Sequence, residues 1–134
     1  MTIKKYTPED EQNLFALIED EGEEWAYYCT GAGKEKYRKA LAHNIVYVLY
    51  VGENLCGFVR CGEDEPTGIY VYDLLVNPEY RGNEYGRLLM EKVVADYPDT
   101  TVYVNSDVNP YYEKLGYKAI GSIFMVSEAK YEIK

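Results

Sequence analysis

One stretch constrains the fold more than any other, the run from Ile69 to Ala95. Ile69 to Val76 is the most strand-like segment of the chain, and Asn77-Pro78 stops it because proline cannot extend the ladder. A loop holding Gly82 follows. Gly86 to Ala95 then carries Leu88, Leu89, Val93 and Val94 along one side of a helix. A strand that passes through a short glycine loop into an amphipathic helix packs that helix on its own sheet. The chain is therefore read as α/β.

The flanking patterns extend this reading. Ile3 to Tyr6 reads as a short opening strand. Thr7-Pro8-Glu9-Asp10 is a helix start, with a capping hydroxyl, proline at the first position and acids in the first turn. Leu14, Leu17 and Ile18 give the apolar stripe of a helix running to about Glu19, and a second helix is expected from Lys34 to Ala42. Ile45 to Val51 and Leu55 to Cys61 flank Gly52-Glu53-Asn54 as a hairpin. A polar loop from Gly62 to Gly68 precedes the Ile69 strand. Later come a strand from Thr101 to Val104 and a short helix from Tyr111 to Leu115, ended by Gly116. Tyr117 to Ser127 is expected to supply one or two closing strands. The order β-α-α-β-β-β-α-β-α-β is that of a mixed sheet with helices on both faces, and 134 residues (1–134) make one domain.

The informative chemistry also lies in the Ile69–Ala95 run. A helix N-terminus offers unpaired backbone amides and a positive dipole end, so it takes phosphate. Gly82 and Gly86 let the backbone approach an anion closely, and Arg81 and Arg87 add charge beside it. Such a local anion site reconciles a polyanionic ligand with a formal charge of −9 (14 basic and 23 acidic residues). That balance argues against nucleic acid as a partner and favours cationic small molecules. No stretch approaches the 18 apolar residues of a membrane span, no apolar signal core follows the N-terminus, and no cluster has metal-ligand spacing. Cys29, Cys56 and Cys61 are odd in number; Cys56 and Cys61 are expected on opposite faces of one strand, as free thiols in a reducing cytoplasm. Sixteen tyrosines suit half-wet clefts and subunit contacts, or reflect a compositional habit alone.

The segment from Leu74 through Leu89 resembles the GNAT (Gcn5-related N-acetyltransferase) superfamily, whose signature is a strand ending in V-x-P followed by an R/Q-x-x-G-x-G/A loop that opens a helix. Val76, Pro78, Arg81 and Gly86 match, whereas Glu84 stands where the first loop glycine is usual. Downstream, Tyr112-Glu113-Lys114-Leu115-Gly116-Tyr117 is similar to the family's Y-E-K-L-G-F, and Asn105 precedes Tyr112 at the family's spacing, with Val108 in place of an alanine. The resemblance implies a mixed, mostly antiparallel α/β sheet and acetyl-CoA as acyl donor. It implies donor contacts from Leu74, Leu75, Val76, Arg81, Gly82, Asn83, Glu84, Tyr85, Gly86, Arg87 and Asn105. It also implies Tyr112 as the acid that protonates the departing thiolate, and a splayed strand at Leu74 whose amides polarise the thioester carbonyl.

The acceptor is then a primary amine, small molecule or peptide, and the protein a monomer or homodimer. Several relatives place a carboxylate or histidine base where Tyr70 and Tyr72 stand here, so the base is unassigned. Asp73 is expected on the opposite face of the strand, and His43 is read as structural. Glu23, Glu24 and Trp25, after the first helix, are candidate acceptor contacts with Tyr70 and Tyr72, or simply a solvated acidic face. Two rival readings are a non-catalytic acyl-CoA-binding or regulatory module, favoured by the absent base and by Glu84, and a tyrosine-rich protein-interaction domain.

Overall fold

The computed structural model describes residues 1–64 and 67–126. Two compact units divide the chain, Met1–Val104 and Asn105–Lys134. The first contains a five-stranded sheet in sequence order: β1 (Thr2–Lys5), β2 (Ile45–Val51), β3 (Asn54–Asp64), β4 (Gly68–Val76) and β5 (Val102–Val104). The first three pairings are antiparallel and β4·β5 is parallel, so the sheet is mixed and mostly antiparallel. Helices α1 (Glu11–Glu21) and α2 (Gly31–His43) precede β2, and α3 (Tyr85–Asp96) crosses over between β4 and β5.

The two faces bury separate cores. Leu14, Phe15, Leu17 and Ile18 of α1 and Tyr37 and Leu41 of α2 pack on Val46, Val48, Phe58 and Leu75. Leu89, Met90 and Val93 of α3 pack on Tyr47, Leu49, Cys56, Val59, Cys61, Ile69 and Val71. Adjacent β2 residues such as Tyr47 and Val48 thus serve opposite cores, as the period of two requires. The helix start at Thr7 is realised as a 3-10 turn, Pro8–Asp10, ahead of α1. Asp10 there is buried, and its carboxylate accepts from the Thr7 amide (2.9 Å), Lys4 Nζ (2.7 Å) and the Tyr50 hydroxyl (2.6 Å). Burial alone would raise this carboxyl; the three bonds outweigh it and hold it below the usual carboxylate range.

Two bulges alter the expected faces. Cys56 has no β2 partner, because pairing jumps from Leu49↔Gly57 to Tyr50↔Leu55. The alternation inverts there, so Cys56 and Cys61 share the α3-side core instead of lying on opposite faces. On β4, pairing passes from Val71↔Cys61 to Asp73↔Arg60, and Tyr72 is the extra residue. The expected loop from Gly62 to Gly68 is also shorter, since β3 continues to Asp64 and β4 begins at Gly68.

The second unit contains α4 (Asn109–Lys114), followed by Gly116 in a positive-φ conformation (87°) that ends it. The closing strands expected over Tyr117 to Ser127 do not appear in residues 117–126, and Ser127 lies outside the described residues. Ile120, Ile123, Phe124, Met125 and Val126 are exposed there and pair with no described strand.

Candidate functional site

The site is built where β4 runs out. β5 pairs with β4 only at Ile69, Tyr70 and Val71, so the β5-facing edge of Leu74, Leu75 and Val76 has no strand partner among the described residues. The chain then turns at Asn77, whose side-chain oxygen accepts from the Glu79 amide (2.9 Å), and passes through a 3-10 turn over Pro78–Tyr80. Gly82 takes φ 90°, open to glycine and costly for other residues, and nothing lies within 4 Å of the position its Cβ would fill. The Asn83 side chain caps the Tyr80 carbonyl at 3.0 Å. The first intrahelical bond of α3 is Leu88 N to Glu84 O (3.0 Å), so the Tyr85, Gly86 and Arg87 amides precede the helix ladder, and the cap residue Glu84 contributes no side-chain bond to them. These open amides, with no side chain on Gly82 or Gly86, fit a diphosphate.

The cations beside the loop are held by carboxylates. Arg81 donates Nε to the Val76 carbonyl (2.9 Å) and Nη2 to Glu21 Oε1 (2.8 Å). Arg87 is gripped by Glu84 Oε2 (3.0 Å) and Glu91 Oε2 (2.6 Å). Glu84 itself is the sole non-glycine with positive φ among the described residues (62°). Glu84 thus adopts a left-handed backbone that ordinarily favours glycine.

The α1/α2 face of β4 carries a second polar group. Because Tyr72 is a bulge residue, Asp73 does not lie on the far face from it, as strict alternation requires. Asp73 Oδ2 accepts from the Tyr37 hydroxyl (2.7 Å) and from Arg60 Nε (2.6 Å), while Arg60 Nη1 donates to Asn44 Oδ1 (2.6 Å). The Arg60 guanidinium lies 5.2 Å from both the Tyr37 and Tyr72 ring centres, so Tyr72 and Asp73 share this face. Burial, then the Asp73 charge, pushes the Tyr37 phenol far above its usual value. Trp25 stands edge-on to Tyr37 at 6.1 Å and to Phe58 at 6.2 Å, and Tyr70 stacks on Tyr103 at 5.1 Å. The chain Trp25–Tyr37–Arg60–Tyr72 thus joins two expected acceptor contacts, whereas Glu23 and Glu24 are exposed. Arg60, Asp73 and Tyr37 were not legible as a group, since the bulge that unites them leaves no local sequence mark.

In the second unit, Asn105 is half-buried and Tyr112 buried, with Tyr112 stacked on Tyr117 at 6.1 Å. Burial first, then neighbouring charge, raises the Tyr112 phenol to about 12.

A family model described as an acetyltransferase (GNAT) domain matches residues 42–119. The chain belongs to the GNAT family. Over 72 residues it is 32% identical to GCN5-related N-acetyltransferase 2, chloroplastic, of Arabidopsis thaliana, covering 50% of this chain and 28% of that protein. It is 25% identical over 93 residues to an N-acetyltransferase of Porphyra purpurea, covering 62% of this chain and 53% of that one. The GNAT chain thus spans about half or less of the length of the curated relatives it matches. Among solved structures, a GNAT-family acetyltransferase of Streptococcus pneumoniae superposes with a TM-score of 0.71 at 23% identity, covering 95% of this chain and 98% of that one. A ribosomal-protein-alanine N-acetyltransferase of Brucella melitensis gives a TM-score of 0.74 at 16% identity over 96% and 100%. At these identities the structural likeness carries the fold alone. No helix among the described residues is long and apolar enough to cross a membrane, and no group of three or more His, Cys, Asp or Glu there could hold a metal ion.

Proposed function

We propose that this GNAT chain moves an acetyl group from acetyl-CoA to a primary amine, small molecule or peptide, by direct attack within a ternary complex. The observation that carries the reading is the loop from Arg81 to Arg87, with its glycine at φ 90° and three amides ahead of the α3 ladder. Acetyl-CoA supplies the activated thioester. The Tyr85, Gly86 and Arg87 amides hold its diphosphate, with Gly82 and Asn83 shaping the turn and Arg81 and Arg87 supplying charge once their carboxylates yield. Backbone amides on the edge of Leu74, Leu75 and Val76, which has no strand partner among the described residues, polarise the acyl carbonyl. Asn105 binds the pantetheine arm, a role that rests on its spacing from Tyr112.

An amine of pKa near 10 must give one proton to solvent before it attacks and a second as the amide forms. The Tyr70, Tyr72 and Trp25 wall receives the acceptor, and Glu23 and Glu24 draw cations toward it. Tyr112 gives its proton to the departing thiolate; its phenol is protonated at neutral pH, although burial makes it a weaker acid than a free tyrosine. Three cysteines without a disulfide are in keeping with a reducing compartment such as the cytoplasm. A panel of amines assayed for thiol release tests the proposal: release above the amine-free rate supports transfer. Coenzyme A binding without release for any amine points instead to a non-catalytic acyl-CoA-binding module, the reading that the carboxylate-held Arg81 and Arg87 favour.

A further inference from the structure

The Arg81–Glu21 pair joins two parts of the chain with different expected tasks. Arg81 opens the diphosphate loop, whereas Glu21 is the last residue of α1, directly before the Trp25 segment. Glu21 is expensive where it stands. The C-terminus of α1 is its negative dipole end, Glu19, Asp20 and Glu21 crowd it, and the last turn has no basic residue. Glu21 Oε1 has the Arg81 guanidinium at 2.8 Å, but Oε2 is buried with no hydrogen-bond partner among the described residues. Arg81 is what makes this carboxylate tolerable.

Gly22 follows at φ 103° with nothing within 4 Å of a would-be Cβ, so the chain can pivot there. Its carbonyl accepts from the Trp25 amide at 3.2 Å, which ties the pivot to the 3-10 turn over Glu23–Tyr28.

We infer that Glu21 is the positioning residue for Arg81, and that through it the donor loop is coupled to the Trp25 segment. Resting on the proposed donor site, the coupling works by competition. A diphosphate on the loop draws Arg81 from Glu21. The carboxylate then has neither oxygen paired beside the helix end, so it turns outward at Gly22, and the Trp25 segment moves with it. Donor and acceptor sites thereby share one ion pair, and binding at either is felt by the other.

Trp25 is the only tryptophan in the chain and so reports on its own segment. The test follows Trp25 emission while coenzyme A is titrated into the wild type, Glu21→Gln and Arg81→Gln, with calorimetry giving affinity independently. In the wild type, coenzyme A should change the emission. Arg81→Gln, which leaves the carboxylate unpaired, should already show the altered emission without ligand. Glu21→Gln, which has no carboxylate to expel, should keep the wild-type emission. Neither should respond much to coenzyme A. Arg81 is 52% and Glu21 20% exposed, so the pair is partly screened and its coupling modest; Glu21→Gln should bind coenzyme A about two- to five-fold more tightly, whereas Arg81→Gln should bind it more weakly. Glu21→Gln removes the buried charge together with the pair, so this variant folds even if Arg81→Gln, which strands the carboxylate, does not. Unchanged or weaker binding in Glu21→Gln overturns the inference, as does unchanged wild-type emission when calorimetry shows coenzyme A bound. If calorimetry detects no coenzyme A in any of the three, the donor site itself falls and the coupling with it.

Discussion

Glu84 is the residue at which sequence and backbone disagree most, and Glu84→Gly turns that disagreement into a measurement. Its φ of 62° and ψ of 22° are left-handed, a conformation that costs an L-residue about 1–2 kcal/mol. Glycine removes that cost but adds conformational freedom to the unfolded chain, about 0.4–1 kcal/mol in the other direction. The side chain contributes little: Glu84 forms no cap bond, and its 3.0 Å pair with Arg87 has 68% of the Glu84 side chain exposed, so screening leaves it near zero. The net expectation is a gain of about 0.5 kcal/mol, a rise in Tm of roughly 2 °C for a chain of this size.

Glu84→Ala is the control. It loses the same side-chain interactions but keeps a Cβ at positive φ, so it should fall about 1 kcal/mol below Glu84→Gly. Urea unfolding of the three proteins reads this difference, provided the slope with denaturant is unchanged. Coenzyme A should also bind Glu84→Gly more tightly, because a carboxylate has left the diphosphate loop. Equal stability of the Ala and Gly variants would refute the backbone argument. Tighter coenzyme A binding by Ala and Gly alike would then assign the effect to charge alone.

Three further outcomes are expected. Gly33→Ala in α2 would place a Cβ 1.8 Å from the Tyr27 carbonyl oxygen, so the helix must shift, and urea midpoints should report a loss of about 2–3 kcal/mol. Asp73→Ala leaves the Arg60 guanidinium, only 18% exposed, without its carboxylate; about 2 kcal/mol should be lost, and much of it recovered in the double variant Asp73→Leu/Arg60→Met. Tyr112→Phe should lower kcat by about 10²-fold or less, with coenzyme A affinity nearly unchanged. With the folded phenol raised to about 12 and the unfolded one near 10, the proton is retained through pH 6–9, so the loss should be the same at pH 7 and pH 9; the stability contribution of this protonated phenol is present below pH 10 and disappears toward pH 12.

The sequence made the loop from Arg81 to Arg87 legible because its devices are local. A proline after a strand, a glycine that takes positive φ and a helix start all act within a few residues, and each stands where expected. The cross-strand events were not legible. The bulges at Cys56 and Tyr72 depend on which residue of a neighbouring strand lies opposite, and one inserted residue reverses every face beyond it. Strict alternation therefore sets Asp73 away from Tyr72, and its bonds to Tyr37 and Arg60 exist only with the sheet assembled. The carboxylates on Arg81 and Arg87 divide along the same line. Glu84 and Glu91 lie within one helical turn of Arg87, a spacing visible in sequence, whereas Glu21 is 60 residues from Arg81 and is brought there by α1. Over residues 117–126 the expected strand is absent.

The donor site is tested most directly by mapping coenzyme A onto the backbone amides of the 15N-labelled protein. The account predicts the largest shifts at Gly82 and at Tyr85, Gly86 and Arg87, the amides that precede the α3 ladder, with a secondary change at Trp25. Shifts centred away from residues 81–88, with that loop unmoved at saturation, would contradict it.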